Sequence, residues 1–153
     1  MSKYLAPAAY LPHQAPMLLI DEVVAVSADT VCCCSVVDND HALAPFITLQ
    51  GVPSFFSLEL MAQTIGVWAG FWELSRSGHK IEAGMLLGGR GFKFSTPFLP
   101  LNATLSLEAQ LLLSDDKVGS FEAQVRVGSD ILACGRINTL QASLGELDSL
   151  VHV

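Results

Sequence analysis

From Thr104 onward hydrophobic and polar residues alternate, with Leu105, Leu107, Ala109, Leu111 and Leu113 on one side and Ser106, Glu108 and Gln110 on the other. A period of two is that of a strand with one face buried and one wet. Asp115-Asp116-Lys117 supplies a turn, after which Phe121, Ala123, Val125 and Val127 alternate with Glu122, Gln124 and Arg126. Gly128-Ser129-Asp130 turns the chain again, and Ile131 to Leu140 closes the set. Upstream, Leu18 to Val26 and Thr30 to Val37 are apolar runs rich in β-branched residues, separated by Ser27-Ala28-Asp29 in the manner of a hairpin. Met85 to Phe94 is a further extended piece, interrupted by Gly88, Gly89 and Gly91, where another backbone or a ligand approaches closely. Pro97 and Pro100 bound a turn.

Between the two groups of strands, Val52 to Leu74 follows no alternation: Phe55, Phe56, Leu58, Leu60, Met61, Ile65, Val67, Trp68, Phe71 and Trp72 cover every side of a helix. Pro53 and Ser54 open it, Gly78 stops it, and the predicted span is about 53–75. The run is long enough to span a membrane, but Glu59 and Gln63 lie inside it and no basic flank follows. A charged residue at that depth costs about 2.5–3.5 kcal/mol, so the helix is read as one surrounded by protein. Two strands, one long helix and four more strands predict an α+β fold, with an antiparallel sheet curled around one helix. This is the hot-dog pattern. The helix carries more apolar surface than one curled sheet covers, which predicts a two-fold dimer. The tail from Gln141 to Val153 carries weak signals.

The length of 153 residues predicts a single domain. With 51% hydrophobic and only 15% charged residues, disorder is excluded. The formal charge of −7 argues against a nucleic-acid partner. Met1 to Tyr10 holds no apolar run of signal-peptide length, so a cytoplasmic protein is expected. Cys32-Cys33-Cys34 and the lone Cys134 match neither a metal spacing nor a disulfide framework, and in a strand the triplet fills alternate faces.

Glu59 is the sole acid between Asp40 and Glu73, with Gln63 one turn on, and Ala62, Gly66 and Gly70 continue a stripe of small residues. A carboxyl in apolar surroundings is expected to have a raised pKa and to act as an acid; the alternative is a simple hydrogen bond to nearby backbone. His41 lies in an irregular segment before the helix, either as a general base or as a solvated loop histidine near Asp38 and Asp40. His13, between Pro12 and Pro16, is read as fixing a turn, and His79 and His152 as solvated. No histidine pair has ligand spacing, so no metal is expected, and no Gly-x-Ser-x-Gly elbow surrounds Ser54 or Ser57. Arg76, Lys80, Arg90 and Lys93 form a local basic cluster, either ordinary surface or a docking point for an acidic partner.

Leu11-Pro12-His13-Gln14-Ala15-Pro16-Met17-Leu18-Leu19-Ile20-Asp21-Glu22-Val23 resembles the amino-terminal signature of hot-dog 3-hydroxyacyl-acyl-carrier-protein dehydratases. Leu58-Glu59-Leu60-Met61-Ala62-Gln63 is similar to their central-helix motif, and Phe92-Lys93-Phe94 with Pro97 and Pro100 to the segment that follows. The main branch has a Gly-His-Phe-Pro-Gly loop before the helix, whereas this chain reads Asp40-His41-Ala42-Leu43-Ala44-Pro45-Phe46. His41-Ala42-Leu43 and Gly51-Val52-Pro53 look closer to the aryl-polyene-type branch.

The resemblance implies dehydration of a 3-hydroxyacyl thioester on a phosphopantetheine arm at the interface of a homodimer or higher oligomer, with no cofactor. It further implies His41 of one subunit as base and Glu59 of the other as acid. Pro53, Ser54, Phe55 and Gln63 are then substrate-binding, with helix-start amides on the thioester carbonyl. Arg76, Lys80, Arg90 and Lys93 would receive the acidic acyl carrier protein. Two other functions share this fold: a thioesterase, and a non-catalytic acyl-binding or partner subunit of a heterodimer.

Overall fold

The computed structural model describes residues 3–115 and 118–142. Its main sheet is built from β1 (Glu22–Val26), β2 (Thr30–Val36), β4 (Ala83–Phe94), β6 (Thr104–Asp115), β7 (Val118–Val127) and β8 (Asp130–Ala142). The strand order is β1-β2-β6-β7-β8-β4, and every neighbouring pair is antiparallel. The alternation read from β6 and β7 is observed for Leu105, Leu107, Ala109, Phe121, Ala123 and Val125, which are buried, but it breaks beyond Leu111, where the register of β6 against β7 shifts and Leu113, expected on the buried side, is exposed. The opposite face carries a polar network in which Gln124 Nε2 donates to Glu108 Oε2 at 2.6 Å and Arg126 pairs with the same carboxylate. The cysteine triplet divides as its period requires, with Cys33 fully buried and Cys32 and Cys34 on the other face.

Helix α1 (Ser57–Ser77) lies against the buried face and meets β1, β2, β6, β7 and β8. Leu60, Met61, Ile65 and Val67 are fully buried or nearly so, each such side chain contributing about 1.5–3 kcal/mol on removal from water. Trp68 and Trp72 donate from Nε1 to the Ser27 carbonyl at 3.1 and 3.0 Å, which ties the helix to the β1–β2 turn. Gly78 ends the helix in the left-handed region, φ 73°, as its place in the sequence predicts. No described helix is long and apolar enough to cross a membrane.

The helix starts later than the sequence predicts. Val52–Pro53 is instead a short strand, β3, paired with β5 (Phe98–Leu99), and Ser54–Phe56 forms a 3-10 turn before Ser57. Proline at 53 and the close pass of Gly51, whose added Cβ would lie 2.1 Å from the Leu99 carbonyl oxygen, hold this segment extended. The first strand also begins later, at Glu22, because the Leu19 amide is given to a helix side chain. The tail beyond residue 142 lies outside the described residues.

The small-residue stripe on α1 has a definite occupant. A Cβ on Gly70 would stand 1.8 Å from the Tyr10 carbonyl oxygen, and one on Gly66 would stand 2.7 Å from Leu11 Cδ2. The stripe is therefore where the amino-terminal segment crosses the helix, with Tyr10 and Leu11 buried against it. Glycine to alanine inside a helix ordinarily stabilises by about 0.5–1 kcal/mol. At Gly70 the clash is with backbone, so we expect Gly70→Ala to destabilise by about 1–3 kcal/mol in urea unfolding, and Gly66→Ala, which meets only a side-chain end, to cost less.

Candidate active site

The segment that crosses the helix stripe continues directly to His13, and α1 presents Glu59 to it. His13 Nε2 stands 3.4 Å from Glu59 Oε1, with the two side chains 32% and 43% exposed. An ion pair this open contributes at most about 1 kcal/mol, far less than the core of α1, so its arrangement is not what holds the fold. His13 Nδ1 is buried and has no hydrogen-bond partner among the described residues.

Gln63, one turn beyond Glu59, is buried and uses both ends of its amide. Its Nε2 donates to Glu59 Oε1 at 3.0 Å and to the Met17 carbonyl at 2.7 Å, while its Oε1 accepts the Leu19 amide at 2.9 Å. One side chain thus joins the carboxylate to the strap that carries His13. The His13 imidazole lowers the Glu59 pKa below its ordinary 4.5, half-burial opposes this, and the Gln63 amide adds to the lowering. The expectation of a carboxyl raised by apolar surroundings is corrected: two donors aimed at the charged form outweigh partial desolvation.

His41 is placed elsewhere. It is buried; its Nδ1 accepts the Leu43 amide at 3.0 Å, and its Nε2 faces the Leu19 carbonyl at 3.0 Å and Ser35 Oγ at 2.8 Å. A carbonyl only accepts, so Nε2 carries the proton, and the remaining lone pair on Nδ1 is held by Leu43. Within one chain both ring nitrogens of His41 are thus engaged, and it is His13, read from sequence as a turn residue, that meets Glu59.

The residues expected to bind substrate are also largely occupied. Gln63 has no free polar atom, and Ser54 gives its amide to the Pro97 carbonyl at 2.9 Å and its hydroxyl to the Thr96 carbonyl at 2.5 Å. Pro53 sits in β3. Phe55 remains open, with its ring exposed and stacked 4.6 Å from Phe56, which in turn lies 4.8 Å from the exposed Phe46. The amides of Phe55 and Phe56 belong to the first turn, where donors have no intrahelical acceptor. Ser57, the first residue of α1, is fully buried, and its hydroxyl has no partner among the described residues.

The four residues of the basic cluster lie on different elements. Arg76 pairs with Glu73 on α1, and Lys80 follows beyond Gly78. Arg90 and Lys93 lie on β4 and, with Arg136, line a groove of about 790 Å³ on the outer face of the sheet, where Arg136 is paired with Glu122 at 3.3 Å. Among the described residues, no cluster of three or more His, Cys, Asp or Glu side chains is placed to hold a metal ion.

Comparison with known proteins matches residues 5–152 to a family described as ApeP-like, ApeP dehydratase. A 3-hydroxyacyl-[acyl-carrier-protein] dehydratase FabZ from Chlamydia trachomatis is 32% identical over 132 residues, covering 84% of each chain. The dehydratase heterocomplex ApeI:P from Xenorhabdus doucetiae contains a chain of 39% identity that superposes with a TM-score of 0.93, covering 99% of this chain and 100% of that one. A hypothetical thioesterase with coenzyme A from Streptococcus pneumoniae, 9% identical with a TM-score of 0.59 over 80% of this chain and 85% of that one, shares the fold alone.

The lowered Glu59 pKa has a sign that stability measurements read. A group whose folded pKa lies below its unfolded one contributes stability above the unfolded value and loses it as pH falls through the folded value. Below pH 4.5 the wild type is expected to lose stability more steeply than Glu59→Gln, by less than about 1 kcal/mol because the pair is open to solvent. Urea midpoints of the two proteins across that range check it; parallel curves would refute it.

Proposed function

The chain belongs to the ApeP-like dehydratase family, and from this we propose that it removes water from 3-hydroxyacyl thioesters carried by an acyl carrier protein, using Glu59 and His13. The observation that carries the site is the 3.4 Å contact between these two side chains, both partly open to solvent. The name of the relative from Chlamydia trachomatis supports the substrate class.

Elimination needs one group to take the α-proton and another to protonate the departing β-hydroxyl. Glu59, kept ionised by His13 and Gln63, is the acceptor. As the carbon–oxygen bond breaks, the protonated His13 imidazole gives its proton to the hydroxyl, which leaves as water. The proton on Glu59 then returns to His13 across their contact, and both groups are reset. The first-turn amides of Phe55 and Phe56, at the positive end of the helix dipole, stabilise the thioester oxygen as charge develops on it.

The pair is too open to exclude water by itself, and Phe46, Leu49 and Phe55 leave apolar surface around the helix start. A second hot-dog subunit closes this site. The likeness to a chain of the ApeI:P heterocomplex supports a different chain in that place rather than a second copy. Of the four cations offered to an acidic carrier, Arg90 and Lys93 share one groove, and the docking role is assigned to them.

Absorbance of the conjugated enoyl thioester on mixing the assembled protein with a 3-hydroxyacyl carrier substrate tests the reading. We expect Glu59→Gln and His13→Ala each to lower kcat by about 10²–10⁴-fold with the fold intact. No turnover by the wild type, with or without a co-expressed hot-dog partner, on carriers of several chain lengths would overturn it. Charge reversal at Arg90 and Lys93 is expected to raise KM for the carrier-bound substrate severalfold and leave a small free thioester unaffected; equal effects on both would remove the docking role.

A further inference from the structure

His41 has no free lone pair, yet it stands at one end of a continuous line of hydrogen bonds that ends on the candidate catalytic pair. Its Nε2 and the Ser35 hydroxyl both donate to the Leu19 carbonyl, at 3.0 and 2.8 Å. The Leu19 amide donates to Gln63 Oε1 at 2.9 Å. Gln63 Nε2 then reaches the Met17 carbonyl at 2.7 Å and Glu59 Oε1 at 3.0 Å. The Met17 amide closes a turn onto the Gln14 carbonyl at 2.7 Å, next to His13. The strap from His13 to Leu19 is therefore held at Met17 and Leu19 by the helix, through Gln63, and at Leu19 by the loop and β2, through His41 and Ser35.

We propose that His41 is a positioning residue: it fixes the Leu19 carbonyl, and through the strap it sets where His13 meets Glu59. Its Nδ1 accepts the Leu43 amide at 3.0 Å, so the same ring also ties the loop before the helix to the strap. A weak, solvent-side pair cannot hold its own geometry against thermal motion of a strap; buried donors on a backbone carbonyl can. All of His41's polar contacts are to backbone or to Ser35, so it acts without touching a reacting atom. The proposal rests on His13 and Glu59 being the reacting pair, and its test separates the two ideas by including a measurement that needs no turnover.

The first readout is the Glu59 carboxyl titration followed by carbon NMR on the assembled protein. His41→Ala is expected to shift it upward, because the His13 imidazole no longer faces it squarely. Ser35→Ala, which removes the other donor to the same carbonyl and leaves His41 in place, is expected to shift it in the same direction by less, and it serves if His41→Ala does not fold. His41→Gln, which restores an N–H donor to Leu19, is expected to bring the titration back towards wild type.

The second readout is kinetic. His41→Ala is expected to lower kcat by about 10–100-fold, the scale of an ångström of misplacement, to leave KM nearly unchanged and to move the acidic limb of the pH profile with the Glu59 titration. His41→Gln recovers most of the rate, and the His41→Ala/His13→Ala double variant is no slower than His13→Ala alone. An equally deep loss in His41→Ala and His41→Gln with an unmoved Glu59 titration would overturn the proposal, since a glutamine cannot transfer the proton of a true base. A fall in melting temperature with neither titration nor rate changed would also overturn it, leaving only packing. A wild type with the expected NMR coupling but no dehydration would sink the function and leave the positioning role standing.

Discussion

The buried amide of Gln63 is the interaction on which the site depends. It satisfies a backbone donor at Leu19 and a backbone acceptor at Met17, and it shares its nitrogen with the Glu59 carboxylate. The Gln63 amide and the Leu19 N–H are buried, and leaving such a group unpaired costs about 1–3 kcal/mol, so the strap has one low-energy seat on the helix. A side chain with one polar end would satisfy only part of this set. The amide, with a donor and an acceptor on the same carbon, fits a segment that presents a carbonyl and an N–H two residues apart.

Other forces set the frame for that seat. The apolar circumference of α1 draws the sheet around it, and Gly66 and Gly70 leave a track on which Tyr10 and Leu11 pass in contact with the helix. Stability comes from this burial, with Trp68 and Trp72 fixing the helix to the β1–β2 turn. The polar side chains of the first two helical turns serve geometry instead. Glu59 and His13 are open, weakly coupled and placed where the apolar surface at the helix start is unfinished.

Much of the fold was legible because its elements bury one face at a fixed period. The alternation in β6 and β7 and the all-round apolar helix predict the sheet, the helix and their contact, and Gly78 marks the helix end where the structure places it. The β3–β5 pair was not legible: each strand has two residues, too few for a period, and they meet only because Gly51 allows a close pass at Leu99. Glu59 and Gln63 stood out as the polar residues inside an apolar run. Their partner did not, since the separation of His13 from Glu59 along the chain has no local signature. The one available signal was the glycine stripe continuing from Glu59, which announced that some segment had to lie on that face.

Residue type and period mark most of the buried faces without any knowledge of distant contacts, although Leu113, beyond the register shift in β6, departs from the pattern. The sequence by itself also determined that a carboxyl and an amide share one helix face, and its motifs carried the resemblance to the dehydratases. Tertiary structure alone decided which histidine of the same chain lies beside that carboxyl. His41 is turned inward and spends both ring nitrogens on Leu43, Leu19 and Ser35, whereas His13 is brought to Glu59 by a strap whose path depends on contacts with Gly70, Gly66 and Gln63 far along the chain. The ionisation of Glu59 was decided there too. A pKa depends on which donors surround the group in space, and two of them do.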